Sequence, residues 1–410
     1  MVPANVATPD NGALMLGRDS GPHAREDRLL RPNAIAIGQG AETRATQAGT
    51  SVRDDAAMDE ASHTRSLPSP AQAQVARDAL RQALAGLRPR MTMERDGLVL
   101  IALEPVTAGA PGTPDVMTPY LLFEQAAAAG AVEVSEIGSG SVPSVAATTK
   151  DKPVVIFAGD TITGGKQNRF INITVWLSAG KATALPVTCL EHGRWDPGLA
   201  ARFGAGRKAD YALRSMVNSQ VSEQRRRVHE FAAAGAPAVH AFAADQGEVW
   251  AEIGRREARA GRRSGTSALH ELWAAEEHDA RPLAGAFPCP TGAFGLAVGV
   301  GGRLVALELF DHPATLAASW TRLVESAVSA HLDHRRAVAA RMAPPDAHHY
   351  PDPGALGRMV GRAVAALDGA PVGPSVGEGL DVRLSAAKIA GSALVRDGHL
   401  VHAELFRVTA

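Results

Sequence analysis

The feature that most constrains the fold is a series of short apolar runs separated by turns too short to hold a helix. Residues 154–158 are continuously apolar, residues 170–177 alternate large apolar and polar side chains, and residues 183–190 follow a short turn. Such strands must pair antiparallel, because a parallel pair needs a crossover of a dozen or more residues. Runs with helical spacing lie on both sides. We therefore predict an α+β fold with a mainly antiparallel sheet core and packed helices.

Composition excludes several classes of protein. With 42 basic and 43 acidic residues the net charge is close to zero, which gives no general signal for nucleic-acid or membrane binding. The 2 cysteines, Cys189 and Cys289, form no disulfide framework and no metal-binding pair. The chain has no apolar run long enough to span a membrane and no signal-peptide pattern at its start. We expect a cytoplasmic protein.

The chain divides into three parts by composition. Residues 1–72 are rich in small and polar residues, with too little apolar surface to offset chain entropy, and predict a disordered extension. Residues 73–94 predict an amphipathic helix, since Ala76, Leu80 and Leu84 recur at helical spacing. The apolar pattern then resumes after each loop, which predicts one α+β domain over residues 95–410.

Two late segments resemble each other. Residues 292–310 and 391–406 each read as strand, glycine turn, strand, and both end in Glu-Leu-Phe. Duplication of one hairpin gives this pattern, and so does convergence of two unrelated hairpins. The sheet is therefore expected to contain an internal pseudo-repeat or two hairpins of similar design.

A glycine-rich, charged segment at residues 159–169 is the first part of a candidate site. It resembles a phosphate-binding P-loop in its glycine spacing, but Gly165 and Gln167 stand where that loop has lysine and a hydroxyl. The residues that follow favour a strand, whereas a P-loop opens a helix. A P-loop is therefore not expected, and one interpretation of the segment is a tight turn that approaches an anionic ligand.

The side chains of this turn suit an anion. Lys166 and Arg169 provide charge for a phosphate or carboxylate, and Gln167 and Asn168 provide amide groups that can orient a ligand beside Gly165. The alternative is a glycine hairpin whose polar side chains are solvated or cap the neighbouring backbone.

A second charged segment lies at residues 186–195. Its strand runs directly into Glu191, Arg194 and Trp195, and the strand order brings it to the same end as residues 167–169. Convergence of two glycine-punctuated charged clusters favours a functional site, in which Arg194 and Trp195 contact the ligand.

Glu191 and Asp160 are the candidate catalytic carboxylates. The alternative for each is a structural salt bridge with a neighbouring cation such as Arg194, Lys166 or Arg169. The adjacent pair His348 and His349 lacks helical or strand spacing, and the sequence predicts no metal site.

These two segments resemble a known family. Gly165-Lys166-Gln167-Asn168-Arg169 and the run Cys189-x-Glu191-x-Gly193-Arg194-Trp195 are similar to the motifs of a domain named for its association with ADP-ribosylglycohydrolases and rhodanese-phosphatases. The resemblance covers about residues 95–410. The family tends to carry Asp-Gly-Glu-Glu before the first motif, where this chain has Ala158-Gly159-Asp160-Thr161, so a carboxylate-bound metal is not expected.

The resemblance implies a small anionic ligand such as an ADP-ribose-like nucleotide derivative, through association rather than mechanism. We therefore expect the cluster at residues 160–195 to bind, and in an enzyme to hydrolyse, such a ligand. The alternative is a non-catalytic ligand sensor or assembly protein, in which the same residues form a salt-bridge network. No cofactor is identified, and both a monomer and an oligomer fit the sequence.

Overall fold

The computed structural model describes residues 66–105, 118–194, 202–230, 241–342 and 350–408. Within those ranges the chain forms seven helices: α1 (Pro70–Ala85), α2 (Phe123–Ala128), α3 (Tyr211–Glu230), α4 (Gln246–Ala260), α5 (Leu269–Gly285), α6 (Pro313–Ala339) and α7 (Ala355–Ala366). None of these helices is long and apolar enough to cross a membrane.

Seventeen strands alternate with these helices in the described ranges. The first nine are β1 (Leu87–Arg95), β2 (Leu98–Pro105), β3 (Leu121–Leu122), β4 (Val132–Ser141), β5 (Ser144–Thr149), β6 (Val154–Ile156), β7 (Asp160–Gly164), β8 (Arg169–Ile171) and β9 (Val175–Leu177). The others are β10 (Thr183–Cys189), β11 (Arg202–Lys208), β12 (Gly295–Val300), β13 (Arg303–Phe310), β14 (Val372–Pro374), β15 (Leu380–Ala386), β16 (Ile389–Arg396) and β17 (His399–Arg407).

The strands form three sheets. An eight-stranded sheet has the order β1-β2-β12-β13-β17-β16-β15-β14, a closed barrel has the order β10-β5-β4-β11-β7-β8, and β3-β6-β9 form a small third sheet. All pairings in the large sheet and the barrel are antiparallel, and β3 with β6 is the parallel pair of the third sheet. The predicted α+β class with a mainly antiparallel core is confirmed.

Each sheet is covered by helices that the sequence encodes locally. Helix α1 begins at a capping box between Ser69 and Gln72, with Pro70 at its first position. Its buried residues and those of α7 pack on one face of the large sheet, and α6 packs on the other. The barrel has a core of its own, to which α3, α4 and α5 contribute.

Three sequence predictions differ from the structure in detail. The helix predicted for residues 73–94 ends at Ala85, and Leu87–Arg95 forms edge strand β1. The same helix begins at Pro70, inside the extension predicted to be disordered up to residue 72, and residues 1–65 lie outside the described ranges. The strand predicted for residues 170–177 is two strands, since β8 lies in the barrel and β9 in the third sheet.

The two similar hairpins lie side by side at the centre of the large sheet. Glu308 and Glu404, which begin the two Glu-Leu-Phe runs, are directly opposite each other on β13 and β17. Each hairpin has its register shift at the corresponding place, between Val298 and Gly299 and between Leu394 and Val395. The similarity in sequence is therefore a similarity in structure, arranged about a pseudo-twofold axis.

The two facing carboxylates share one buried arginine as their ion-pair partner. Arg214 of α3 is 1% exposed, and its guanidinium pairs with Glu308 and, at 2.7 Å, with Glu404. Burial alone would raise the pKa of Glu308, but Arg214 and then Lys208 outweigh burial and hold that pKa well below the ordinary glutamate value. The ion pairs of Arg214 therefore connect α3 to the middle of the large sheet.

We predict that Arg214→Ala destabilises the protein by about 3–5 kcal/mol, because two facing carboxylates are left buried without their cation. Urea unfolding at neutral pH measures the effect. The control is Arg226→Ala on the same helix, which removes an exposed pair with Glu223 and should change stability little. Equal effects of the two substitutions would contradict this account of the sheet centre.

Candidate functional site

The two charged segments meet at one end of the barrel, here called the barrel rim and comprising residues 164–169 and 189–194. Strands β7 and β8 are joined by residues 165–168, and β10 pairs with β8 so that Cys189 lies opposite Arg169. The Leu190 amide then donates to the Asn168 carbonyl at 3.0 Å. The predicted convergence of residues 167–169 with residues 191–194 is therefore present in the structure.

Glycines are required at three places on the rim. Gly164 has φ +114° and Gly165 has φ +50°, and a Cβ on Gly165 would lie 2.2 Å from the Phe203 ring. A Cβ on Gly193 would lie 2.9 Å from the Cα of Thr266, whose carbonyl accepts from the Gly193 amide at 2.8 Å. Glycine at these positions thus allows the turn at residues 164–165 to pack against β11, and Gly193 to pack against the loop before α5.

Arg194 and Glu191 hold the rim together. Arg194 donates from Nε to Glu191 Oε2 at 2.9 Å and from Nη1 to the Gly165 carbonyl at 3.1 Å. Glu191 also accepts from the Asn168 amide at 3.3 Å and from the Thr266 hydroxyl at 3.0 Å. Burial alone would raise the pKa of Glu191, but these donors, Arg194 above all, lower it, so the carboxylate is ionised at neutral pH.

A second group of contacts lies on the buried side of the rim. Arg169 is fully buried, and its Nη1 donates to Gln167 Oε1 at 2.9 Å and to the Cys189 sulfur, while its Nη2 pairs with Glu136 at 3.4 Å. Gln167 in turn donates to the Glu191 carbonyl at 2.9 Å. The structure places Arg169 and Gln167 where they support the turn, and not on the surface that the sequence analysis expected them to share with a ligand.

Cys189 is an inert part of this support. Its side chain is buried, and burial raises the pKa of its thiol to about 11, with Arg169 opposing that shift. Its backbone amide and carbonyl are both bonded by the side chain of Gln246, at 2.7 and 2.8 Å. A structural role for this cysteine follows.

Lys166 and Asn168 lie on the outer side of the turn. Both are half-buried, and the Lys166 side chain lies across β4, where a Cβ on Gly140 would be 3.0 Å from its Nζ. Asn168 Oδ1 accepts from the Gly164 amide at 3.0 Å and from Arg194 Nη2 at 3.3 Å. Together with Arg194, whose side chain is 22% exposed, they form the accessible polar surface of the rim.

Asp160 lies at the opposite end of β7 and belongs to a different cluster. Its carboxylate pairs with Arg322 at 3.1 Å and Lys208 at 3.5 Å, and accepts from the Phe157 amide at 3.1 Å. Burial alone would raise the pKa of Asp160, but Arg322 and Lys208 lower it. Asp160 and Glu191 share no hydrogen-bond partner among the described residues, so these two candidate carboxylates lie in separate clusters.

The remaining aromatic and histidine residues near the two motifs or singled out by the sequence lie elsewhere. Trp195, His348 and His349 lie outside the described residues. His192 is exposed on the rim, with its ring centroid 4.4 Å from that of Trp250. In the part of the chain that the structure describes, no group of three or more histidine, cysteine and acidic residues could hold a metal ion.

Sequence reasoning missed two residues that bond to the rim, Glu136 and Thr266. Glu136 comes from β4 and accepts from the Lys166 amide at 2.9 Å as well as from Arg169. Thr266 belongs to the loop before α5, which forms an antiparallel bridge between Ala268 and Glu191. Both are distant in sequence from the motifs; barrel closure brings Glu136 to the rim, and the bridge between Ala268 and Glu191 brings Thr266.

A profile of the ARG and Rhodanese-Phosphatase-superfamily-associated Protein domain, ARPP-1, matches residues 87–406. The chain belongs to the ARPP-1 family. The match begins at the first residue of β1 and ends in β17, so the ARPP-1 domain includes both the large sheet and the barrel. No curated protein and no solved structure matches the chain. The family that the two motifs indicated is thereby confirmed.

Gly165→Ala should destabilise the protein more than Gly180→Ala, by about a further 1–3 kcal/mol, because only the first substitution also forces a side chain into the Phe203 ring. Both glycines have positive φ, but a Cβ on Gly180 meets nothing within 4 Å. Thermal and urea unfolding compare the two variants. If they unfold alike, the close packing of the rim is not what requires Gly165.

The lowered pKa of Glu191 predicts a pH-dependent contribution to stability. A carboxylate with a lowered folded-state pKa stabilises the fold above its unfolded pKa and loses that effect as the pH falls through the folded value. Wild type should therefore exceed Glu191→Gln in stability at neutral pH, and the gap should narrow in acid. The control Glu133→Gln, which removes a surface pair with Arg202, should follow wild type throughout. A gap that is constant with pH would contradict the assignment.

Proposed function

We propose that the barrel rim binds a phosphate-bearing nucleotide derivative of the ADP-ribose type. The observation that carries the proposal is the placement of two half-buried cations, Lys166 and Arg194, at the tight turn formed by Gly164 and Gly165. The family name supports the ligand class, since it associates the domain with ADP-ribosylglycohydrolases. That support is associational.

In this proposal the rim residues form two groups: those that contact the ligand, and those that hold the contacting residues in place. Lys166 and the outer edge of Arg194 meet the phosphate, and the Asn168 side chain lies between them for a neighbouring polar group. Arg169 and Gln167 stand behind the turn, where buried hydrogen bonds fix their positions. Such a second layer keeps the contact groups in place before the ligand arrives, which lowers the entropic cost of binding.

Charge also favours an anion. The rim and its support contain three cations, Lys166, Arg169 and Arg194, against two carboxylates, Glu136 and Glu191. Each carboxylate is bonded by cations or amides of the same cluster. The cluster therefore has an excess of positive charge, which raises the local concentration of an anionic ligand.

The state of Glu191 favours binding over turnover. A general base must face the water or hydroxyl that it deprotonates, at hydrogen-bond distance. Glu191 is 4% exposed and already accepts from Asn168, Arg194 and Thr266. Hydrolysis would require one of these donors to leave, so a ligand sensor fits the geometry better than a hydrolase.

The hydrogen bonds that rim side chains make to one another also support a second candidate, an assembly protein in which the rim network is purely structural. Every polar contact of Gln167 and Arg194 given above is made within the domain. The two candidates differ in whether a nucleotide derivative stabilises the folded protein.

We expect ADP-ribose to raise the melting temperature of the wild type in differential scanning fluorimetry, and Lys166→Ala to reduce the shift by most of its size. Each phosphate contact by a lysine contributes binding energy that is lost with the ammonium group. The control is Lys181→Ala, which removes an exposed lysine from the turn between β9 and β10 and should respond like wild type.

The outcomes separate the candidates. The absence of any shift with ADP-ribose, NAD or nucleoside diphosphates would reject nucleotide binding and favour the assembly role. A shift that Lys166→Ala leaves unchanged would place the ligand away from the rim. Consumption of a bound ligand by wild type, lost in Glu191→Gln while binding remains, would assign hydrolysis.

A further inference from the structure

A cavity of about 290 Å³ lies between the end of α4 and the start of α5, outside the barrel rim. The residues that line it come from both helices and from the loop that joins them: Glu257, Arg262, Arg263, Ser264, Glu271, Leu272 and Ala275. Two of these are apolar, and the others carry a charge or a hydroxyl group. A concave surface on which a few polar groups converge is the usual form of a small-molecule site.

The two arginines of this cavity have no partner within the described part of the domain. Arg262 and Arg263 are adjacent in the loop and both are exposed. Neither guanidinium makes a hydrogen bond or an ion pair with a residue that the structure describes. Arg259, three residues earlier, differs because its guanidinium pairs with Glu252 at 3.0 Å and with Asp333 at 2.8 Å. Two guanidinium groups with open donors on one cavity suit a phosphate, which accepts from both.

The two acids of the cavity differ in their bonding. Glu257 is 6% exposed, and its two oxygens accept from the Ser264 amide at 3.0 Å and from the Ser267 hydroxyl at 3.4 Å. Its carboxylate therefore holds the loop. Glu271 is exposed, and its carboxylate accepts from no donor in the described ranges. Because an ionised carboxylate only accepts hydrogen bonds, the group that suits Glu271 is a donor such as a hydroxyl.

The backbone of the loop is fixed by further hydrogen bonds. Ser264 Oγ accepts from the amides of Thr266 at 3.1 Å and Ala268 at 2.9 Å. The Thr266 hydroxyl in turn donates to Glu191 of the rim at 3.0 Å. Two residues of extended chain span about 7 Å, so the cavity wall at Ser264 lies next to the rim contact of Thr266. The loop thus presents its arginines from a position that is set before a ligand binds.

We propose that this cavity binds a phosphate monoester whose organic part carries hydroxyl groups, as in a sugar phosphate. Arg262 and Arg263 bind the phosphate, and Glu271 accepts a hydrogen bond from a hydroxyl of the ligand. A free sugar phosphate and the sugar-phosphate part of a larger nucleotide have this chemistry in common. The cavity shares no residue with the barrel rim, so binding here does not depend on nucleotide binding there.

The test is differential scanning fluorimetry of the full chain, titrated with inorganic phosphate or with ribose 5-phosphate at constant ionic strength. Arg262→Ala together with Arg263→Ala, the arginine-pair variant, removes both guanidinium groups. Its matched control is Arg226→Ala together with Arg227→Ala, which removes the same charge from exposed positions of α3. Lys166→Ala is measured alongside, so that phosphate bound at the rim is recognised as such.

Both probes should raise the melting temperature of wild type, and ribose 5-phosphate should do so at lower concentration, because only the ester has hydroxyls for Glu271. The arginine-pair variant should increase the apparent Kd of both probes about tenfold, because charge-assisted hydrogen bonds are lost. Glu271→Gln should weaken the binding of ribose 5-phosphate alone. It should leave that of inorganic phosphate equal or tighter, because a negative charge near the anion is removed. The control pair should respond like wild type.

The absence of a shift with both probes would reject the site. A shift that Lys166→Ala abolishes and the arginine-pair variant leaves unchanged would place the phosphate at the rim, and would also reject it. If Glu271→Gln affects both probes alike, the hydroxyl contact is wrong.

Two further results keep the site separate from the rim and from folding defects. Binding of ribose 5-phosphate that requires the arginine pair, in a protein that ADP-ribose does not stabilise, would support the cavity and reject nucleotide binding at the rim. If the arginine-pair variant does not fold, Arg262→Gln together with Arg263→Gln replaces it, since glutamine keeps more of the side-chain bulk. Unchanged affinity of that variant for both probes would overturn the proposal.

Discussion

The fold depends on one buried arginine between two facing carboxylates. Glu308 and Glu404 are opposite each other on the central strands of the large sheet, where like charges repel and no water screens them. Arg214 makes this arrangement stable by pairing with both. Because Arg214 belongs to α3, the electrostatic requirement of the sheet also determines where that helix lies.

The buried cluster around Arg214 also contacts the segment of chain that leads into the barrel. Gly159, just before β7, has φ +83°, and a Cβ there would lie 2.6 Å from the Arg214 side chain. Lys208, at the end of β11, donates to the Ala158 carbonyl at 2.9 Å. Strand β7 therefore starts on the buried cluster and ends at Gly164 on the rim, so the position of the candidate site is set by charges at the other end of the same strand.

The sequence predicted the parts of this arrangement that depend on local pattern. Short turns imposed antiparallel pairing, and the two motifs converged because β8 and β10 are neighbours. Residues whose role depends on burial could not be assigned in this way. Arg214 lies in an arginine-rich stretch of the sequence, yet it is buried, whereas Arg226 and Arg227 of the same helix are exposed. Periodicity places a residue on a face, but the packing partner decides whether that face is buried.

Asp160 and Glu136 show the same limit in the candidate site. Asp160 is adjacent to the motif in sequence, but strand β7 carries the chain away from it, so proximity in sequence is misleading over an extended strand. Glu136 is far from the motif in sequence, and reaches it because β4 is a strand of the same closed barrel. Only the sheet order reveals that Glu136, and not Asp160, lies beside the rim.

The candidate site lies in the part of the chain that breaks the pseudo-symmetry of the large sheet. In one half, β15 and β16 are joined by residues 387–388 alone, whereas in the other half the chain between β2 and β12 contains the whole barrel with α3, α4 and α5. The partners of the central acids differ accordingly, since Glu308 bonds His402 and Glu404 bonds Asn218. The sheet is thus a nearly symmetric scaffold, and the long insertion breaks that symmetry and carries the rim. Substitutions that affect ligand binding should therefore concentrate in the insertion, whereas those in the hairpins should act through stability.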